Sequence, residues 1–174
     1  KYLQRFSLHI LPMANKDGVA NGWTRFNAHG MDLNRKWDRP TPQFLCPENF
    51  YLEQWFMANI AQDEKPDLAI DFHNDQGGRL HIARPNIDLE KYLNSMKRFE
   101  NLLYKHTWFT EGATGGNFRN PGSIGEGLLE RFGITAFVYE LNSNRIAGMD
   151  DYAYAHHWEN LGATLLDVFY EYFK

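Results

Sequence analysis

Four groups of polar residues stand where they could do chemistry. His73 closes the segment Asp71-Phe72-His73-Asn74-Asp75. A neutral imidazole there could ligate zinc, with the neighbouring carboxylates to orient it. A histidine satisfied by hydrogen bonds at a strand end would look the same. Glu140 follows the apolar run Phe137-Val138-Tyr139. Partial desolvation would raise its pKa and suit it to general-base work, whereas an edge glutamate would reach solvent. Asp32-Leu33-Asn34-Arg35, preceded by Gly30, sets a forked guanidinium beside an amide. That pair suits a carboxylate held in one orientation; a solvated arginine next to a turn-forming Asn is the plainer reading. Arg25, in Trp23-Thr24-Arg25-Phe26-Asn27, could stabilise a developing oxyanion or simply carry surface charge.

A fifth pattern has metal-ligand spacing. His156-His157-Trp158-Glu159 contains H-x-x-E, which on a helix sets His156 and Glu159 on one face. It lies in an amphipathic terminal segment whose residues mainly need to pack or face solvent. The Met and aromatic residues of the other helical segments have the spacing of core stripes and are assigned no cofactor role.

The elements that must position these groups can be read from periodicity. Arg5 to Ile10 alternates, with Phe6, Leu8 and Ile10 on one face, and predicts a strand. Asn15-Lys16-Asp17-Gly18 is a turn signal, and residues 19–47 read as a long ordered loop. A helix is expected from Pro47 to about Asp63, with Leu52, Trp55, Phe56 and Ile60 as its stripe, ended by Lys65-Pro66. Leu68 to His73 predicts a buried strand and Arg79 to Arg84 another. Asp88 to His106 predicts an amphipathic helix on Leu89, Leu93, Met96, Phe99 and Leu103. Glu111 to Gly127 reads as a loop. Glu126 to Arg131 predicts a short helix closed by Gly133, Ile134 to Leu141 the clearest strand, and Asp151 to Phe173 a last helix. Alternating strands and helices imply an α/β fold with a mostly parallel sheet, whose sites gather at the carboxyl ends of strands. His73 and Glu140 both fall there.

Composition narrows the classes. The 174 residues suit one domain with a real core, and 43% hydrophobic with 16% aromatic content excludes intrinsic disorder. A net charge of −4 without a Lys/Arg run gives no electrostatic footprint for nucleic acid or an anionic membrane. No apolar stretch is long enough to span a bilayer. Cys46 is the single cysteine, which excludes an internal disulfide framework and a Cys-rich zinc site. It suits cytoplasm and a secreted or periplasmic setting alike, so the compartment is left open. The chain begins at Lys1, and nothing at its head looks like a signal peptide.

As a set, these segments resemble the zinc carboxypeptidases of the M14 family. Ala14-Asn15-Lys16-Asp17-Gly18 looks like a looser version of that family's N-P-D-G turn. Arg25 follows, then Gly30-Met31-Asp32-Leu33-Asn34-Arg35-Lys36-Trp37, very like its G-x-D-x-N-R-x-W segment. His73 after one strand and Glu140 late on another match its third zinc ligand and its catalytic glutamate. The D-L-N-R form especially resembles the cytosolic-carboxypeptidase-like and bacterial branches. The resemblance implies a three-layer α/β/α zinc-peptidase fold with a mixed, mostly parallel sheet. It implies a zinc-dependent hydrolase acting on a peptide or amide with a free carboxylate. His73 would ligate Zn2+. Arg25 would polarise the scissile carbonyl, and Asn34 and Arg35 would hold the substrate's terminal carboxylate. Asp32 would orient the first zinc histidine from behind. Glu140 would take a proton from the attacking water and deliver it to the leaving amine.

Two departures bear on this. The family's opening H-x-x-E motif, which supplies two of three zinc ligands, would precede Lys1, and residues 1–35 contain nothing equivalent. The expectation is therefore a single domain over residues 1–174 forming the C-terminal portion of a catalytic domain, with an incomplete zinc site and weak or no zinc binding by this chain alone. Its sheet would lack its first strands and leave an edge for another chain to pair. The family's mobile-loop tyrosine is also missing between Glu111 and Gly127, with Asn117 or Phe118 near its place. Side-chain preference should be read around Ser123, Ile124 and Gly125, with a lean towards a neutral or apolar terminal residue. A zinc deacylase of the aspartoacylase and desuccinylase type, and a pseudo-peptidase that keeps only the carboxylate clamp, are the alternative readings.

Overall fold

A computed structural model describes residues 2, 4–84, 88–115 and 122–174. In chain order it contains α1 (Lys16–Ala20), α2 (Pro47–Ala61), β1 (Leu68–Asp75), β2 (Leu80–Ile82), α3 (Leu89–His106), α4 (Ile124–Phe132), β3 (Thr135–Asn142), β4 (Arg145–Ile146), β5 (Asp151–Tyr152) and α5 (Ala155–Tyr172). The central sheet has the order β1-β3-β2. β1 runs parallel to β3, and β2 runs antiparallel to it.

Side-chain alternation along these strands sorts the sequence onto two faces. One face carries Leu80, Ile82, Phe137 and Tyr139, which pack on Tyr92, Met96, Phe99 and Leu103 of α3 and Leu161, Leu165 and Val168 of α5. The other carries Ala69 and Ala136, covered by Phe56 of α2, Leu128 of α4 and the buried Trp37. The result is the three-layer α/β/α arrangement expected. Further along the second face, beyond its helical cover, the same alternation places Asp71, His73, Asp75, Val138 and Glu140.

Two glycines make the second layer possible. Gly133 ends α4 in the left-handed region at φ 63°, which glycine adopts without a Cβ penalty. Gly127 lies so close to Trp37 that an added Cβ would stand 2.4 Å from that residue's Cβ. The loop bearing Asn34 and Arg35 is thereby pressed against α4.

Three expectations need correction. Residues 6–11 form no strand; Leu8 and Ile10 are 52% and 74% exposed. A strand needs a neighbouring ladder, and the segment has none among the described residues; Phe6 instead packs on Phe169 and Phe173. The last helix starts at Ala155 rather than near Asp151, because Asp151 and Tyr152 pair with Ile146 and Arg145 in a small hairpin. The loop after Glu111 stops earlier, since α4 begins at Ile124. The turn read at Asn15-Lys16-Asp17-Gly18 is the start of α1: Asn15 Oδ1 accepts the Gly18 N–H at 2.9 Å and caps the helix. β1 forms the edge of the described sheet, with Phe72 47% exposed. No helix is long and apolar enough to cross a membrane among the described residues.

Candidate active site

His73 and Glu140 are register partners across the parallel pair β1 and β3. Parallel pairing sends both side chains to the same face, and His73 Nδ1 stands 4.0 Å from Glu140 Oε1. His73 Nε2 lies 2.8 Å from Asp71 Oδ2. Asp71 is two residues earlier on the same strand, hence on the same face. An ionised carboxylate can only accept, so Nε2 carries the proton and the neutral ring keeps its lone pair on Nδ1. The Asp71 hydrogen bond raises the His73 pKa against the opposing effect of burial.

Glu140 is raised above the ordinary carboxylate value, chiefly by burial, with His73 and Arg25 pulling the other way. Its Oε2 is shielded from solvent and accepts no hydrogen bond. His81 of β2 is held below its ordinary value, chiefly by burial.

The loop residues arrive from the α2–α4 side. Arg25 donates from Nε to Asp32 Oδ2 at 3.1 Å, and its Nη2 lies 2.8 Å from the same oxygen. Asp32 Oδ1 accepts the Asn34 N–H at 3.0 Å. Both Asp32 oxygens therefore hold this loop together, and Asp32 sets the position of Arg25. Asn34 Oδ1 accepts the Ile124 N–H at 2.9 Å, while Nδ2 lies 3.4 Å from His73 Nε2. Asn34 thus ties the loop to the start of α4 and borders the histidine. Arg35 donates from Nη1 to its neighbour's carbonyl, Asn34 O, at 2.7 Å.

This loop is fixed from beneath by residues that periodicity gave no reason to single out. Trp37 Nε1 and Asn49 Nδ2 both donate to Leu33 O, at 2.8 and 2.9 Å. Arg131 of α4 donates to Trp37 O, Arg39 O and Glu53 Oε1, and Glu53 Oε2 accepts the Thr41 N–H. These side chains hold backbone, and a polar residue inside a helix stripe is the only sequence trace of that.

Together the groups line a cleft of about 180 Å³. Arg25, Asn34 and Arg35 form one side, His73, His81 and Glu140 the sheet side, and Ser123, Gly125 and Glu126 the end near α4. Of the residues read for side-chain preference, Ser123 and Gly125 line the cleft, and the neighbouring Glu126 is buried. Asn117 and Phe118 lie outside the described residues. His156 and Glu159 are exposed on α5 and join no metal-ligand cluster among the described residues.

Zinc can be tested against these groups. His73 fits one ligand position: Asp71 fixes its tautomer and orientation, and Nδ1 faces the cleft. Among the described residues, the group close to Nδ1 is the Glu140 carboxylate, so the fit covers one corner of a three-ligand site.

Comparisons with known proteins bear on the family resemblance and the fold. Residues 1–77 match the zinc carboxypeptidase family. Mouse cytosolic carboxypeptidase 1 is 34% identical over 70 residues, which are 40% of this chain and 6% of that protein. A metallo-carboxypeptidase structure from Burkholderia cenocepacia superposes with a TM-score of 0.76 at 20% identity, over 94% of this chain and 44% of that one. One from Pseudomonas aeruginosa, in complex with (2-guanidinoethylmercapto)succinic acid, gives 0.71 at 19% identity, over 92% and 45%. These structures establish the zinc-peptidase fold. The matched residues span less than half the length of the solved structures and under a tenth of the cytosolic carboxypeptidase.

Proposed function

We propose that residues 1–174 supply the later portion of a zinc metallocarboxypeptidase that hydrolyses a C-terminal peptide bond. The observation that carries this reading is the pairing of His73 and Glu140 on one face of β1 and β3, with Asn34 of the D-L-N-R loop beside the histidine.

In this reading His73 Nδ1 holds Zn2+ together with ligands from outside these residues. When bound, the ion supplies Lewis acidity for the scissile carbonyl and acidifies water. The chain's own residues do the rest. Asn34 Nδ2 and the Arg35 guanidinium bind the substrate's terminal carboxylate and set the scissile bond over the sheet edge. Arg25, held by Asp32, donates to the carbonyl oxygen as charge grows there. Glu140 takes a proton from the attacking water as its oxygen bonds to the carbonyl carbon, then gives that proton to the amine as the carbon–nitrogen bond breaks. Burial of Glu140 suits both steps, because it makes the carboxylate a stronger base.

The test uses a longer protein that contains these residues and the upstream ligands. Peptides with a free C-terminus should be cleaved, cleavage should stop with a chelator, and Glu140→Gln should remove turnover while substrate still binds. A protein that binds such peptides and never cleaves them, with or without zinc, would make the pseudo-peptidase reading the right one.

A further inference from the structure

A second group of metal-ligand donors lies beside His73, and the catalytic reading does not account for all of it. Asp75, His81 and Glu140 present ligand atoms that all lie within 4.8 Å of one another. Each comes from a different strand: Asp75 ends β1, His81 is the middle of β2, and Glu140 is on β3. The order β1-β3-β2 makes the three strands neighbours. The register places the donors on one face, since His81 opposes Val138 and Val138 shares its face with Glu140. Donors carried on paired strands are held by the sheet rather than by loops.

The individual groups are prepared for a cation. Asp75 Oδ1 accepts the N–H groups of Gly77 and Gly78, both at 2.7 Å. Those bonds fix the carboxylate and leave Oδ2 to act as a ligand. Glu140 Oε2 is shielded from solvent without a hydrogen bond. A buried carboxylate oxygen in that state is costly and calls for a proton or a metal. One imidazole nitrogen and two carboxylate oxygens form a borderline set, which suits zinc and its first-row neighbours better than calcium or magnesium.

We infer that Asp75, His81 and Glu140 form a divalent-cation site of the zinc type that does not include His73; a cation held there engages Glu140, so its occupancy and the base role proposed for Glu140 exclude each other. It departs from the expectation that this chain alone binds zinc weakly or not at all. It does not depend on the peptidase reading, because it concerns binding by this chain and is tested without turnover.

The experiment is calorimetric titration of the 174-residue chain with zinc chloride, repeated with cobalt(II) followed by its visible absorption. One equivalent should bind, with a d–d band that reports nitrogen and oxygen ligands. His81→Ala and Asp75→Asn should each weaken binding at least about tenfold, the lower end of what losing even an outer-shell partner costs. His156→Ala, exposed on α5 and outside the cluster, should stay within about threefold of the unsubstituted chain. Asp75→Asn keeps an oxygen for the Gly77 and Gly78 N–H groups, so it decides the matter if circular dichroism shows that His81→Ala does not fold. No binding to the unsubstituted chain, or binding kept in Asp75→Asn, would overturn the inference.

Discussion

Asp71 Oδ2 lies 2.8 Å from His73 Nε2 on the same strand and the same face. That contact fixes which imidazole nitrogen is protonated and raises the His73 pKa. A histidine whose folded pKa is raised adds stability below its unfolded value of about 6.5, and that stability is lost as pH rises through the folded pKa. Asp71→Asn removes the main cause. The stability gap between the parent chain and Asp71→Asn should therefore be larger at pH 6 than at pH 9. Urea unfolding at both values checks the sign, and an NMR titration should show the His73 pKa falling in the variant.

Tyr92 joins two distant segments on the other face of the sheet. Its hydroxyl donates to Ala136 O at 2.8 Å and accepts the Ala83 N–H at 3.0 Å. Tyr92→Phe keeps the ring and strands a buried N–H and a buried carbonyl. The expected loss is about 1–3 kcal/mol in urea unfolding.

Gly127 should tolerate no side chain. Its missing Cβ leaves room for Trp37, whose backbone oxygen would lie 2.5 Å from an added methyl. Gly127→Ala should cost about 1–3 kcal/mol by overpacking and shift Trp37 fluorescence. Gly162, where an added Cβ meets nothing within 4 Å, is the control, and Gly162→Ala should stabilise α5 by roughly 0.5–1 kcal/mol.

Arg131 and Glu53 form the ion pair beneath the loop that carries Asn34 and Arg35, with 19% and 4% of their side chains exposed. Removing one member leaves the other charge buried, so Arg131→Met should cost about 3–5 kcal/mol. The double variant Arg131→Met, Glu53→Leu should recover a large part of that loss. Equal losses in the single and double variants would assign the effect to the carbonyls of Trp37 and Arg39 instead.

The strands and helices that place the site were legible because each has a clean period. Phe137 and Tyr139 alternate with Val138 and Glu140, so the face of Glu140 follows from pattern alone. His73 was readable for the same reason. His81 was not singled out, although it alternates with Leu80 and Ile82 on the strand read from Arg79 to Arg84; its meaning depends on β2 lying next to β3, which is tertiary information. Arg5 to Ile10 failed in the opposite way. Its alternation is real, but a strand is made by its neighbour, and this segment has none among the described residues. Asn49, Glu53 and Arg131 were invisible because they hold loop carbonyls and N–H groups, and a loop's backbone partners follow no sequence period.

The central claim is that this chain grips the terminal carboxylate of a peptide about to be cleaved. The most direct measurement compares kcat/KM for a free-acid peptide and its C-terminal amide, before and after Arg35→Ala, in the longer protein. Losing a charge-assisted hydrogen bond should lower the free-acid value roughly 10- to 100-fold and the amide value far less. Equal losses on both peptides would contradict the clamp and, with it, the account given of this cleft.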